Sequence, residues 1–162
     1  MFESKYVKNI TGNALRFPSK SDILIHCANC FCTMGSGIAL QIKNIFPEAE
    51  EADNATESGD RNKLGTYTTA KVVRGEKTKF IVNLYGQYDM GVDERKANYE
   101  AIATGLELLY SRLSSASKKL RVVIPKKMAS DRAGAEWDII EQMINCFADK
   151  YEIETLIAEL NE

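Results

Sequence analysis

DILIHCANCFCTMGSGIAL, residues 22–40, is the stretch of this 162-residue chain that decides its fold. It opens with the apolar run 23–25, which is long enough only for a short buried strand. Small and polar residues follow, and the chain turns at residues 35–37, Gly-Ser-Gly. Apolar residues then recur at helical spacing over residues 38–46 and stop before Pro47. A strand followed by a glycine turn and the start of a helix is an arrangement that binds phosphate groups. The glycines let the backbone approach the ligand closely, and the first helical turn offers unpaired N–H groups.

Two familiar nucleotide-binding motifs do not fit this glycine turn. The P-loop places a Lys and a Ser or Thr directly after its last glycine, whereas Ile38 and Ala39 follow Gly37 here. The dinucleotide fingerprint requires a third glycine at the position that Leu40 occupies. Both motifs are therefore excluded.

The stretch instead resembles the first ligand loop of the macro domain family. That loop reads hydrophobic-Asn-Ala-Ala-Asn, a few variable residues, and Gly-Gly-Gly-Val-Ala, and residues 25–29 and 35–39 align with its two halves without a gap. The match is closest to small ADP-ribose-1''-phosphate phosphatase-like members, including phage-encoded ones, which favour His-Cys-x-Asn-Cys and Met-Gly-Ser-Gly-Ile-Ala. The resemblance covers nearly the entire chain and implies a three-layer αβα sandwich with a mixed central sheet.

Length, charge and hydropathy give the broad class of protein. The length predicts one domain spanning residues 1–162, large enough to bury a core. A net charge of -2 provides no broad basic surface, so strong binding to duplex nucleic acid is not expected. No apolar segment is long enough to cross a membrane and the first residues do not read as a signal peptide. We therefore expect a cytoplasmic protein without a membrane partner.

The four cysteines do not form a disulfide framework in a chain of this size. A zinc site built on His26, Cys27, Cys30 and Cys32 is disfavoured, because His26 and Cys27 neighbour each other on a strand and point to opposite faces. Cys27 and Cys30 have the spacing of a redox pair, but such a pair belongs at a helix start, and the helix begins later. We expect small buried or loop thiols, no metal and no cofactor.

Strands and helices alternate along the chain, with a hairpin signalled by Gly75. This order predicts a mixed sheet between two helix layers, with ligands at the carboxyl ends of the strands. The unusual loops after residues 25 and 124 fall at such ends. The strands are predicted at residues 6–10, 23–25, 66–73, 79–85, 120–124 and 153–157, and the helices at 38–46, 48–60, 99–113 and 136–147.

The resemblance assigns ligand-binding residues position by position. Gly12 and Asn13 stand where the family has Gly-Asp, so Asn13 is expected to read the adenine amino group, although a strand-ending turn also explains the pair. Asn29 matches the second Asn of the loop and is expected to position the distal ribose or the attacking water; its alternative role is to cap local backbone. The diphosphate is expected to contact Gly35, Ser36, Gly37, Ile38 and Ala39.

Three further side chains are candidates near the distal ribose. His26 is the only histidine and a possible general acid or base, although a single histidine within an apolar strand is more often buried and hydrogen-bonded. Residues 83–87 resemble an Asn-Leu-Phe/Tyr-x-Gln segment, so Tyr85 and Gln87 are expected to border the ribose, while Tyr85 equally suits the core. A related branch has a catalytic Lys near here, and its absence from this segment counts against a lysine-adduct mechanism.

Residues 125–137 take the place of the family's second phosphate loop, which reads Gly-x-Gly-Cys/Ser-Gly-hydrophobic before a Trp. The Pro and Trp at its ends are kept, but Lys127 and Ala129 replace the first glycines. Asp131 falls where a glycine is usual, and the Asp of the hydrolytic branch is Ala133 here. Asp131 is a candidate to activate water, its alternative being a solvated salt bridge. The other expected ligand contacts in this loop are Ala129, Ser130, Arg132, Ala133 and Gly134.

The resemblance implies a phosphatase that removes the 1''-phosphate from ADP-ribose 1''-phosphate, with ADP-ribose or that substrate as its small-molecule partner. The small number of suitable acids and bases leaves open a module that binds ADP-ribose without turnover. Removal of ADP-ribose from modified protein or nucleic acid, as other macro domains perform it, is a further alternative.

Overall fold

The computed structural model describes residues 1–160, which form six strands and four α-helices with three short 3₁₀ turns. Within these residues, no helix combines the length and apolar character needed to cross a bilayer. The strands are β1 (Val7–Thr11), β2 (Ile23–Ala28), β3 (Tyr67–Arg74), β4 (Lys77–Tyr85), β5 (Val122–Pro125) and β6 (Thr155–Glu159). The helices are α1 (Gly37–Ile45), α2 (Pro47–Asn54), α3 (Tyr99–Ser114) and α4 (Trp137–Tyr151).

The strands form one mixed sheet in the order β1-β6-β5-β2-β4-β3. Neighbours pair in parallel except β3 and β4, which form the predicted antiparallel hairpin around Gly75. Ile23 of β2 lies opposite Phe80 of β4 on one side and Val122 of β5 on the other. Because these three strands run in the same direction, the loops that follow β2 and β5 meet at one edge of the sheet.

Helices cover both faces of the sheet, and the alternation of side chains along β2 shows how. Leu24 packs in the apolar cluster beneath α1 and α2, while Ile23 and Ile25 pack in the cluster beneath α3 and α4. All three side chains are buried. The predicted three-layer αβα sandwich with a mixed central sheet is therefore confirmed.

The second helix is shorter than the predicted span 48–60. It begins at Pro47, whose fixed φ and missing N–H suit a first helical position. It ends at Asn54, and the Thr56 backbone N–H and hydroxyl both donate to the Asp53 carbonyl, at 3.1 and 2.6 Å. Gly59 then adopts a left-handed φ of +79°, which an α-helix does not contain. The acidic composition predicted the helix but not this stop.

We predict that Gly86→Ala destabilises the fold by about 1–3 kcal/mol through overpacking. A Cβ at Gly86, which follows β4, would lie 2.6 Å from Ile102 Cγ1 and 2.7 Å from Cys27 Sγ. Urea unfolding measures the effect. Gly12→Ala is the matched control, because a Cβ there meets Pro18 at an ordinary 3.7 Å. Equal stability of the two variants would contradict the prediction.

Candidate functional site

A pocket of about 860 Å³ opens at the carboxyl edge of the parallel strands. It lies where the loops after β2 and β5 meet, and a third segment following β4 closes one side. This is the location that the strand order predicts for a ligand. Its lining consists of residues 26–29, 33–39, 87, 90–92, 125–129 and 131–133, with Leu160.

The first loop leaves the start of α1 open towards the pocket. Gly37 is the first residue of α1 and has a left-handed φ of +59°. Ser36 precedes it, and its side chain makes no capping hydrogen bond to the helix in the described part of the chain. Residues 37–39 line the pocket. Their N–H groups therefore have no capping side chain and suit an anion.

The second loop keeps a glycine-like backbone without the glycines. Lys127 and Ala129 have φ values of +69° and +64°, in the left-handed region that glycine favours. The Ser130 N–H donates to the Lys127 carbonyl at 2.8 Å, and the Ala135 N–H donates to the Ala129 carbonyl at 2.9 Å. The two residues that replace glycines of the family pattern thus both adopt a backbone conformation that glycine favours.

The charges at the pocket favour an anionic ligand although the chain is acidic. Lys127 and Arg132 line the pocket beside the carboxylate of Asp131, and none of these three joins an ion pair within residues 1–160. Lys126 also lines it and pairs with Glu159 at 3.6 Å. The unpaired groups therefore carry one net positive charge.

Asn29 lines the pocket, but most of its side chain is engaged within its own loop. Its Oδ1 accepts hydrogen bonds from the Phe31 N–H at 2.9 Å and the Thr33 hydroxyl at 3.1 Å. Its Nδ2 donates to the Thr33 carbonyl at 2.9 Å. One amide hydrogen is left for a ligand. The local capping role considered for Asn29 is therefore present, whatever further role the residue has.

His26 is fully buried, and its hydrogen bond fixes its tautomer. The Asn83 Nδ2 donates to the Ala49 carbonyl at 3.0 Å and to the Thr68 hydroxyl at 3.1 Å, so Asn83 Oδ1 is the acceptor for His26 Nε2–H at 2.6 Å. The Nδ1 atom has no partner among the described residues. Burial lowers the pKa of His26 to about 4. The ring is neutral at pH 7 and holds no imidazolium proton to donate.

The expectation that Tyr85 borders the ligand does not fit its position. Tyr85 is fully buried, its hydroxyl donates to Asp53 Oδ1 at 2.8 Å, and the Thr68 hydroxyl lies 3.1 Å away. These partners belong to α2 and β3, so the side chain is part of the core. Gln87 does line the pocket, and its Nε2 donates to the Asp89 carbonyl at 2.8 Å.

Four other expected ligand contacts, Gly12, Asn13, Ser130 and Gly134, lie outside the pocket lining. Asn13 Oδ1 accepts a hydrogen bond from the Leu15 N–H at 3.0 Å, which caps a 3₁₀ turn. This turn contacts β5 and β6, and its Ala14 and Leu15 pack in the same apolar cluster as Leu24 of β2. The pocket lining thus brings Gly35, Ser36, Gly37, Ile38 and Ala39 together with Ala129, Asp131, Arg132 and Ala133, whereas Gly12 and Asn13 are not part of it.

The histidine and the nearby cysteines do not converge. Cys27 Sγ packs beside Gly86 on the α3 face, whereas His26 bonds to Asn83 across the other face of the sheet. Burial raises the pKa of the Cys27 thiol to about 12, so it is a poor nucleophile. Among residues 1–160, no three His, Cys, Asp or Glu side chains are grouped so that they could hold a metal ion.

Sequence reasoning missed two features of the site. Lys63 is buried beneath the first loop, and its ammonium donates to the carbonyls of Cys30 and Glu57 at 3.0 and 3.2 Å. Met90 and Val92 form an exposed apolar lip on the pocket. The lip had a signal, two apolar residues within a polar loop, whereas no local pattern marks Lys63.

Comparison with known proteins shows a relative that is similar in sequence. No family model matches the chain. An uncharacterized 17.5 kDa protein from the tk–vs intergenic region of enterobacteria phage T4 is 32% identical over 148 residues, which are 91% of this chain and 93% of the phage protein.

Solved structures share the fold at lower identity. The macrodomain of Mycobacterium tuberculosis DarG superposes with a TM-score of 0.75 at 21% identity, over 96% of this chain and 98% of that one. Thermosipho africanus DarTG in complex with ADP-ribose gives a TM-score of 0.70 at 18% identity. The match covers 98% of this chain and 43% of the longer DarTG chain.

We predict that His26 makes the protein less stable in mild acid. Because burial lowers its folded-state pKa from 6.5 to about 4, the unfolded chain binds the proton more strongly, and stability is lost as the pH falls through this range. From pH 7.5 to pH 5, the wild type should lose about 1–2 kcal/mol more free energy of unfolding than His26→Gln, whose amide can still donate to Asn83. Urea unfolding at both pH values measures this. Equal losses in the two proteins would show that His26 is not a buried neutral ring.

Proposed function

This chain belongs to the same family as the phage T4 17.5 kDa protein and has the macrodomain fold, and from this premise we propose that it binds ADP-ribose in the pocket at the sheet edge. The observation that carries the proposal is the pairing of an uncapped helix start with a left-handed loop at the ends of adjacent parallel strands. Each loop suits phosphate oxygens, and the unpaired pocket charges sum to a positive value. The ADP-ribose held by the structurally similar Thermosipho africanus DarTG supports the same ligand class.

The size and polarity of the pocket agree with such a ligand. At about 860 Å³ it lies in the upper part of the range typical of small-molecule sites. Backbone N–H groups of residues 37–39 would hold the diphosphate at the first loop. Gln87 and the remaining amide hydrogen of Asn29 would serve the distal ribose, since both line the pocket with amide groups.

We further propose that the chain hydrolyses the 1''-phosphate of ADP-ribose 1''-phosphate. In this reaction water attacks phosphorus, the bond between phosphorus and the ribose oxygen breaks, and ADP-ribose and inorganic phosphate leave. Asp131 is the candidate that accepts the proton from water, because it is an unpaired pocket carboxylate. His26 is a poor candidate, because it is buried and neutral, and the amide of Asn29 is not a base.

A module that binds ADP-ribose without turnover is the second candidate. It is favoured by the small number of groups that could catalyse hydrolysis. His26 is neutral and buried, and the Asn29 side chain is hydrogen-bonded within its own loop. Asp131 is therefore the only titratable catalytic candidate left among the sequence-predicted residues. The two candidates share the ligand and differ only in whether phosphate is released.

We predict that Gly37→Asp abolishes most ADP-ribose binding while Gly37→Asn retains more. Both side chains tolerate the left-handed φ of +59°, so the strain of substitution is matched and only the charge differs. The carboxylate of the aspartate variant would repel the diphosphate. We therefore expect Gly37→Asp to bind ADP-ribose at least about tenfold more weakly than Gly37→Asn does. Calorimetric titration with ADP-ribose measures the difference, and melting curves check folding. Equal affinities of two folded variants would contradict a phosphate site at this turn.

Free phosphate released from ADP-ribose 1''-phosphate tests the hydrolysis. Wild-type protein should release phosphate, and Asp131→Asn should bind ADP-ribose but turn over at least about tenfold more slowly, since a positioned base contributes at least that much. A wild type that binds ADP-ribose but releases no phosphate is a binding module. Full activity in Asp131→Asn would assign the chemistry to another group.

A further inference from the structure

The side chain of Arg132 reaches across the pocket from the second loop to the first. Its Cδ and Nε atoms each lie 3.7 Å from the point where a Cβ on Gly37 would stand. The guanidinium is therefore beside the first residue of α1, where the backbone N–H groups lack a side-chain cap. The Arg132 guanidinium and the N-terminus of α1 therefore lie at the same part of the pocket, although their loops are nearly 100 residues apart in sequence.

No protein group satisfies this cation among the residues that the structure describes. Arg132 is exposed and joins no ion pair within residues 1–160, whereas Arg74 and Arg121 each pair with a glutamate. Asp131 is adjacent in sequence but does not pair with it. A guanidinium that lines a pocket without a carboxylate partner is free to bind an anion there.

We propose that Arg132 binds two phosphoryl oxygens of the ligand across the start of α1, so that a side chain as well as the backbone holds its diphosphate. The planar guanidinium presents paired N–H groups that match two phosphate oxygens. The loop that carries Arg132 keeps left-handed backbone at Lys127 and Ala129, and Arg132 adds a charged fork on its pocket side. The identity of the whole ligand rests on the proposed function, but the contact between Arg132 and a diphosphate does not.

Two consequences follow from the exposed position of this cation. Affinity for a diphosphate should fall with added salt, because salt screens exposed charges strongly. Lysine in place of arginine should preserve the charge but lose the fork geometry, so Arg132→Lys should recover only part of the affinity.

Titrations of wild type, Arg132→Gln and Arg132→Lys with inorganic pyrophosphate and with ADP-ribose test the proposal. Amide chemical shifts measure pyrophosphate binding, calorimetry measures ADP-ribose binding, and melting curves confirm folding. Arg112→Gln is the matched control, because Arg112 lies in the last turn of α3 and outside the pocket. We expect Arg132→Gln to bind both ligands at least about tenfold more weakly than wild type, which is the scale of lost charged hydrogen bonds. The affinity of this variant should also depend less on salt than the affinity of wild type does.

Binding of ADP-ribose by Arg132→Gln within twofold of wild type would overturn the proposal while leaving the proposed function intact. Pyrophosphate binding that depends on Arg132, in a protein that does not bind ADP-ribose, would support the proposal and refute the proposed function. A wild type that binds neither ligand would overturn both.

Discussion

The hydrogen bond between His26 and Asn83 is the constraint on which the site depends. At 2.6 Å it joins the neighbouring strands β2 and β4 beneath the pocket, and it continues from Asn83 to the Ala49 carbonyl in α2 and the Thr68 hydroxyl in β3. Thr68 in turn contacts Tyr85, whose hydroxyl reaches α2 again. Buried polar groups are costly when unpaired and stabilising when connected. The network therefore fixes the relative positions of the strands and helix that support the first loop.

A chain with a net charge of -2 has a cationic pocket in part because nearby carboxylates form ion pairs outside it. Lys96, itself mostly buried, pairs with Asp89, Asp93 and Glu94 at 3.6, 3.8 and 3.1 Å. One lysine thus gathers three of the acidic side chains near the apolar lip. The backbone of the same segment donates from Lys96 and its neighbour to the Ala133 carbonyl, which ties the lip to the second loop. Charge and loop geometry at the pocket are consequently set by the same contacts.

Local properties of the molecule could be predicted from the sequence, and properties that depend on distant partners could not. The glycine turn, the Gly75 hairpin and the meeting of two loops at one sheet edge follow from short patterns and strand direction. The burial of Tyr85 depends on Asp53, and the neutral state of His26 depends on its burial in a complete core, where Asn83 is its hydrogen-bond partner. Each partner lies more than 30 residues away. The pocket was therefore predicted better than the roles of the individual side chains around it.

Lys127 and Ala129 hold positive φ values without being glycine. Each such residue costs roughly 1–2 kcal/mol, against a typical total stability of about 5–15 kcal/mol. What the second loop requires is thus a pair of backbone angles, and glycine is only the least costly residue that supplies them. In the course of divergence, a loop of this kind can exchange its glycines for functional side chains one at a time, within the stability margin of the fold. Its signature motif can then disappear while its shape persists.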